Sequence, residues 1–162
     1  MRSSFIVLFL LGSILFFSAC DKKRVFDEYQ SVRGWNKDSV ISFDLGTLDT
    51  SKVYNLFINL RNTNEYKYSN IFLITNMQFP NGKVISDTLE YEMAKPNGEW
   101  LGTGFGDVKE NKLWYKKNVK FDEAGNYQVK IRQAMRKNDS VKGIQLLEGI
   151  TDVGFRIEKT EK

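Results

Sequence analysis

The sequence predicts an all-β protein, a single β-sandwich of about seven to nine antiparallel strands, Ig-like or jelly-roll, over residues 38–162. Three observations carry this. Beyond Lys37 apolar residues recur with a period of two, the mark of strands with one buried face. Turn-forming clusters such as Pro80-Asn81-Gly82-Lys83 and Asp122-Glu123-Ala124-Gly125 separate those runs. No amphipathic stretch is long enough for a helix beyond about two or three turns.

The chain opens on a leader, residues 1–19. Met1 and Arg2 form a short basic segment, Phe5 to Phe17 is apolar but for Gly12 and Ser13, and Phe17-Ser18-Ala19 precedes Cys20. A membrane helix needs about 20 apolar residues, so this run is a signal rather than a span. An apolar run ending in small residues and cysteine resembles a bacterial lipoprotein signal peptide. Cys20, the sole cysteine, is therefore the expected lipidation site, and two or more acyl chains there anchor far more firmly than one. It also means that the chain has no intrachain disulfide. Residues 20–37 are polar, with Val25, Phe26, Tyr29 and Trp35 at no clear period, and are expected to be a tether leading into a first ordered segment.

The strands follow. Ile41, Phe43 and Leu45 alternate with polar neighbours; Tyr54, Leu56, Ile58 and Leu60 share one face, as do Ile71, Leu73, Thr75, Met77 and Phe79. Asn81-Gly82 predicts a hairpin with a type I′ turn, returning the chain through Ile85, Leu89, Tyr91 and Met93. Leu113, Tyr115, Val119 and Phe121, then Tyr127, Val129 and Ile131, predict a second hairpin, and Val153, Phe155 and Ile157 a closing strand. That second hairpin would set Trp114, Lys116, Lys120, Gln128, Lys130 and Arg132 on one outward face, a basic patch for an acidic partner or anionic lipid headgroups, or simply a solvated one.

Between these strands lies the loop Lys95-Pro96-Asn97-Gly98-Glu99-Trp100-Leu101-Gly102-Thr103-Gly104-Phe105-Gly106, too rich in Gly and Pro for a regular element. It displays Trp100, Phe105 and Glu99 and is the candidate partner or ligand loop. Trp100 has two readings: a docking or sugar-stacking residue, or a ring folded back over the core.

Composition excludes several functions. A chain of 162 residues with 41% hydrophobic content builds a core and is not disordered. Without Arg2 and the rest of the leader, 23 basic residues face 20 acidic ones, too even for a nucleic-acid binder. The absence of histidine removes Ser-His-Asp and Cys-His catalysis and most transition-metal sites. Leu101 to Gly106 lacks the Lys-Ser/Thr and the helix of a phosphate loop. Glu90, Glu92, Glu99 and Asp107 read as solvated acids rather than a glycosidase pair. Asp122, Glu123 and Asn126 supply too few oxygens for calcium. No catalytic residue, cofactor or metal is expected.

The segments YNLFINLRN (54–62), Tyr66 to Leu73, FPNGK (79–83), DTLEYEMAKPNGEWLGTGFGDVKENKLWYKKNV (87–119) and LEGITDVGFRIEK (147–159) closely resemble the gliding-motility lipoprotein GldH family of the Bacteroidetes, and the leader is similar too. The resemblance implies a lipoprotein anchored in the outer membrane through Cys20, a non-enzymatic part of the gliding machinery that works through contacts with other envelope proteins. Asp21-Lys22-Lys23 lacks the acidic run that resembles a surface-export signal in some Bacteroidetes lipoproteins, which implies the periplasmic face. The alternative is a lipid-anchored carbohydrate-binding module using Trp100.

Overall fold

A computed structural model describes residues 23–137 and 141–160; the leader and Cys20 lie outside the described residues. Among the described residues there are ten strands and no helix. They are β1 (Arg24–Ser31), β2 (Trp35–Asn36), β3 (Ile41–Thr47), β4 (Tyr54–Asn62), β5 (Asn70–Gln78), β6 (Val84–Glu92), β7 (Lys109–Val119), β8 (Asn126–Gln133), β9 (Leu146–Leu147) and β10 (Ile150–Lys159).

Eight long strands form two four-stranded antiparallel sheets, ordered β1-β10-β4-β7 and β3-β8-β5-β6, and β2 pairs β9 alone. In that order the chain changes sheet at every connection between long strands except β5 to β6. This is the jelly-roll arrangement of nested antiparallel pairs, and it differs from the grouping of an immunoglobulin sandwich. It settles the topology that alternation alone left open.

The inward parity read from the sequence is observed. Phe43, Leu56, Ile58, Leu60, Ile71, Leu73, Tyr127, Val129, Val153, Phe155 and Ile157 are all buried. Each such side chain contributes about 1.5–3 kcal/mol by leaving water. Aromatic edges lock the two sheets: Phe43 stacks on Phe155 at 6.2 Å, and Phe121 meets Tyr54 at 5.7 Å and Tyr127 at 4.7 Å.

Three expectations change. The stretch expected to hold the tether contains β1, which pairs with β10 while Phe26 packs on Phe43 and Phe155 at 6.4 and 6.5 Å. Trp35, which showed no period, is fully buried and donates from Nε1 to the Ser39 carbonyl at 3.1 Å. The sandwich thus takes in residues before 38.

The Pro80-Asn81-Gly82 turn is not type I′. Only Gly82 has positive φ, and its N–H donates to the Phe79 carbonyl at 2.9 Å. Pro80 holds the first central position at negative φ, so the hairpin takes the three-residue form that ends on a left-handed glycine.

The third change concerns β7 and β8, which do not form a hairpin. β7 pairs β4 in one sheet, β8 pairs β3 and β5 in the other, and residues 120–125 carry the chain between them. The Tyr127 hydroxyl pins that crossing, donating to the Glu123 carbonyl at 3.1 Å.

The two ends of the sandwich differ. At one end lie the start of β1, the end of β10 and the connections 48–53, 79–83 and 120–125, tied by Lys159 N–H to the Lys23 carbonyl at 2.8 Å and Thr160 N–H to the Val53 carbonyl at 2.9 Å. At the other end emerge the four long connections 32–40, 63–69, 93–108 and 134–149.

Candidate functional site

The loop predicted for recognition belongs to the end with the long connections, and its halves do different things. Residues 95–99 close a tight turn, with Lys95 N–H donating to the Glu99 carbonyl at 2.8 Å. Lys95 Nζ donates to the Glu99 carboxylate at 2.9 Å, and that bond holds the Glu99 carboxyl below its usual range. Glu99 is thus already paired within its own loop.

Trp100 is seated rather than displayed. Its ring lies 6.2 Å from that of Tyr66, a core residue, and its Nε1 donates to Asn64 Oδ1 at 2.9 Å. Of the two readings of Trp100, its packing is that of a lid over the core. Tyr66 in turn donates to the Asn70 carbonyl at 2.7 Å, and burial pushes its phenol well up. An open cleft of about 410 Å³ remains beside Trp100, bounded by Tyr68, Lys95, Pro96 and Gly98.

Phe105 behaves differently. Thr103 and Glu110 exchange backbone hydrogen bonds of 2.9 and 2.7 Å, closing a small hairpin whose tip carries Phe105. Lys109 Nζ, donating to the Gly104 carbonyl at 2.8 Å, and Asn64 Nδ2, donating to Asp107 at 3.3 Å, brace it. Gly104 sits at φ +140 with the Val108 carbonyl oxygen 2.7 Å from where a Cβ would stand, so no other residue fits without a shift. Phe105 is 104% exposed, and Leu101 (45%) and Val108 (42%) on the same loop are also open to solvent.

The expected basic face is not one surface, because β7 and β8 lie in different sheets. Trp114 stands on the outer face of β7, its ring 4.4 Å from that of Phe57, with Lys117 Nζ 4.4 Å from its centroid. Lys130 and Arg132 stand on the outer face of the other sheet, opposite Asn76 and Ile74. Lys120 lies in the crossing connection, and Lys116 Nζ bonds Asp87 at 2.9 Å. A two-residue periodicity reports which face of its own sheet a residue occupies, not whether two strands share a sheet.

Sequence reasoning missed what joins the sheets at their edges. Asp87 has the inward parity of Leu89 and Tyr91, and its carboxylate accepts from the Tyr115 hydroxyl at 2.7 Å. The Tyr91 hydroxyl donates to the Trp114 carbonyl at 2.7 Å. On the opposite edge Gln30 Nε2 donates to the Ser42 carbonyl at 2.6 Å. These bonds satisfy groups on the edge strands of both sheets, which otherwise invite pairing with other chains. An acid at an inward position of an apolar strand was the available signal.

Also unforeseen is a cluster on the outer face of the first sheet. Tyr29 lies over Gly154, where a Cβ would come within 2.8 Å of its ring, and reaches Glu110 with its hydroxyl at 2.9 Å. Arg61 Nε donates to the same carboxylate at 3.0 Å, its guanidinium 4.3 Å from the Tyr29 ring centroid. Burial first, and the bond to Glu110 second, push the Tyr29 phenol up to about 12.

Two of the other acids weighed from the sequence are tied into the fold. Glu90 accepts from Asn70 at 2.7 Å and Glu123 from Asn81 at 2.8 Å. Among the described residues no three His, Cys, Asp or Glu side chains stand where they could hold a metal ion.

Comparison with known proteins identifies the chain's relatives. A relative from Christiangramia forsetii, named gliding motility lipoprotein GldH homolog, is 68% identical over 161 residues, covering 99% of each chain. The gliding motility lipoprotein GldH of Flavobacterium johnsoniae is 56% identical over 155 residues, covering 95% of this chain and 96% of that one. Among solved structures, a chain from the structure of infectious bursal disease virus Gx strain aligns at a TM-score of 0.41 and 13% identity, over 86% of this chain and 32% of that chain. The family model described as GldH lipoprotein matches residues 24–157, from the first strand to near the end of the last, and the chain belongs to that family.

Proposed function

We propose that this protein is a non-enzymatic component of the gliding motility machinery, anchored in the outer membrane by acyl chains on Cys20, with its domain on the periplasmic side and in contact with other envelope proteins. The observation that carries it is Phe105: a fully exposed aromatic, held out on a braced hairpin tip with Leu101 and Val108 exposed on the same loop. Exposed apolar side chains grouped on a rigid support are the usual mark of a protein contact. Membership in a lipoprotein family supports the anchor, and the names of its relatives support the process. Glycan binding through Trp100 has less support, because its ring lies against Tyr66 and its N–H is engaged by Asn64.

The test is recovery of partners from envelope membranes with full-length protein carrying Phe105→Ala. Truncating a docking aromatic costs about 2 kcal/mol, roughly thirtyfold in affinity, so partners should be lost while the thermal melt stays unchanged. Unchanged recovery would remove Phe105 from the interface. Cys20→Ala should leave the protein folded but absent from processed membrane fractions, and a positive glycan-array result would revive the carbohydrate reading.

A further inference from the structure

We propose that the end of the sandwich from which β1 starts is a membrane-contact surface for anionic lipid headgroups, which holds the four long connections away from the bilayer. This rests on the reading of Cys20 as the lipid anchor.

The geometry comes from chain length and topology. Only Asp21 and Lys22 separate Cys20 from Lys23, whose carbonyl is already bonded to Lys159 N–H at 2.8 Å. Three steps of extended chain span about 11 Å at most, so the acylated residue cannot stray far from this end. The eight residues of β1 then run away from the anchor. At about 3.3 Å per residue they place the far end of the sandwich, with Phe105 beyond it, roughly 26 Å further from the lipid.

Charge gives the partner. The connections at the anchored end carry Lys52, Lys83 and Lys120, and the adjoining strand ends carry Arg24 and Lys159, all exposed. Arg24 is paired with Asp27 at 3.4 Å; the other acids at this end are Asp49, Asp122, Glu123 and Glu158, and all but Asp122 accept hydrogen bonds from other side chains. Asp49 accepts from the Ser51 hydroxyl at 2.7 Å and Glu123 from Asn81 at 2.8 Å. A ring of lysines around a lipid anchor is suited to an anionic surface, where each adds attraction that decays within a Debye length.

The orientation is measured on the full lipidated chain in vesicles. Because Cys20 is the sole cysteine, Ala124→Cys and Val141→Cys each give one free thiol for a fluorophore, at the anchored and far ends respectively. With a lipid-borne quencher in vesicles containing phosphatidylglycerol, the probe at 124 should be quenched several-fold more than the probe at 141. Lysine-to-glutamate changes at 52, 83 and 120 should shrink that difference, and lysine-to-glutamine changes should shrink it less. Unchanged thermal melts show that these variants remain folded. Equal or reversed quenching of the two probes overturns the orientation. A difference as large in phosphatidylcholine vesicles, surviving charge reversal, overturns the headgroup contact. Failure of the chain to remain with vesicles overturns the Cys20 reading, and this inference with it.

Discussion

The Tyr115 hydroxyl, on β7, donates to the Asp87 carboxylate, on β6, at 2.7 Å across the open edge between the two sheets. Lys116 Nζ completes the group at 2.9 Å from the same carboxylate. Burial alone would raise the Asp87 carboxyl, but the bonds from Lys116 and Tyr115 outweigh it and hold the group below its usual range. The same carboxylate pushes the Tyr115 phenol upward, second to burial.

Asp87→Ala should destabilise the domain by about 1–3 kcal/mol, since it strands a partly buried hydroxyl and a lysine that shared one acceptor. Chemical denaturation measures this. Tyr115→Phe, which removes only the hydroxyl, should cost less than Asp87→Ala.

Glu158 gives a second lowered carboxyl: burial raises it, and bonds from Lys112 and Arg156, both 2.6 Å, more than offset that. A depressed folded-state pKa contributes stability above the unfolded value and loses it as pH falls through the folded one. The melting temperature should therefore hold between about pH 7 and 5 and fall below about pH 4, where the unfolded carboxyls take up protons first. Asp87→Asn should flatten part of that fall, and a profile identical to wild type would show that Asp87 is not among the linked groups.

Trp100→Ala should lower stability by about 2–3 kcal/mol, less than a fully buried tryptophan because the ring is only half-buried over Tyr66. Trp100→Phe should recover much of that loss while leaving Asn64 Oδ1 without its donor. Set beside Phe105→Ala, whose melt should not move, the pair separates the stabilising half of the loop from its exposed half.

Gly149→Ala should be among the most damaging single changes. Its φ is +81, and an added Cβ would collide with the backbone of Glu65 and Tyr66, where the Gly149 carbonyl accepts from Thr63 N–H at 2.8 Å. A loss of about 3 kcal/mol or more is expected in denaturant titrations. A near-neutral result would show that the connection 63–69 can move aside.

The sequence by itself determined the all-β class, the long strands from Ile41 onward and the inward side of each, because a period of two is a local property of an extended chain and survives any pairing. It also determined the exclusion of histidine chemistry and the resemblance that the family match bears out. Only the tertiary structure decided which strands are neighbours. Asp122-Glu123-Ala124-Gly125 is equally good turn chemistry for a hairpin or for a crossing between sheets, and packing of Phe121 and Tyr127 at the sandwich edge selects the crossing. That choice moved Lys116 onto Asp87 and divided Lys130 and Arg132 from Trp114. β1 was hidden for a related reason: an edge strand with few buried positions carries a weak apolar period, and Phe26 becomes a core neighbour only once β10 and β3 are beside it. Trp100 and Phe105 looked alike in one glycine-rich loop, and it took the position of Tyr66, remote in sequence, to cover one and leave the other in water.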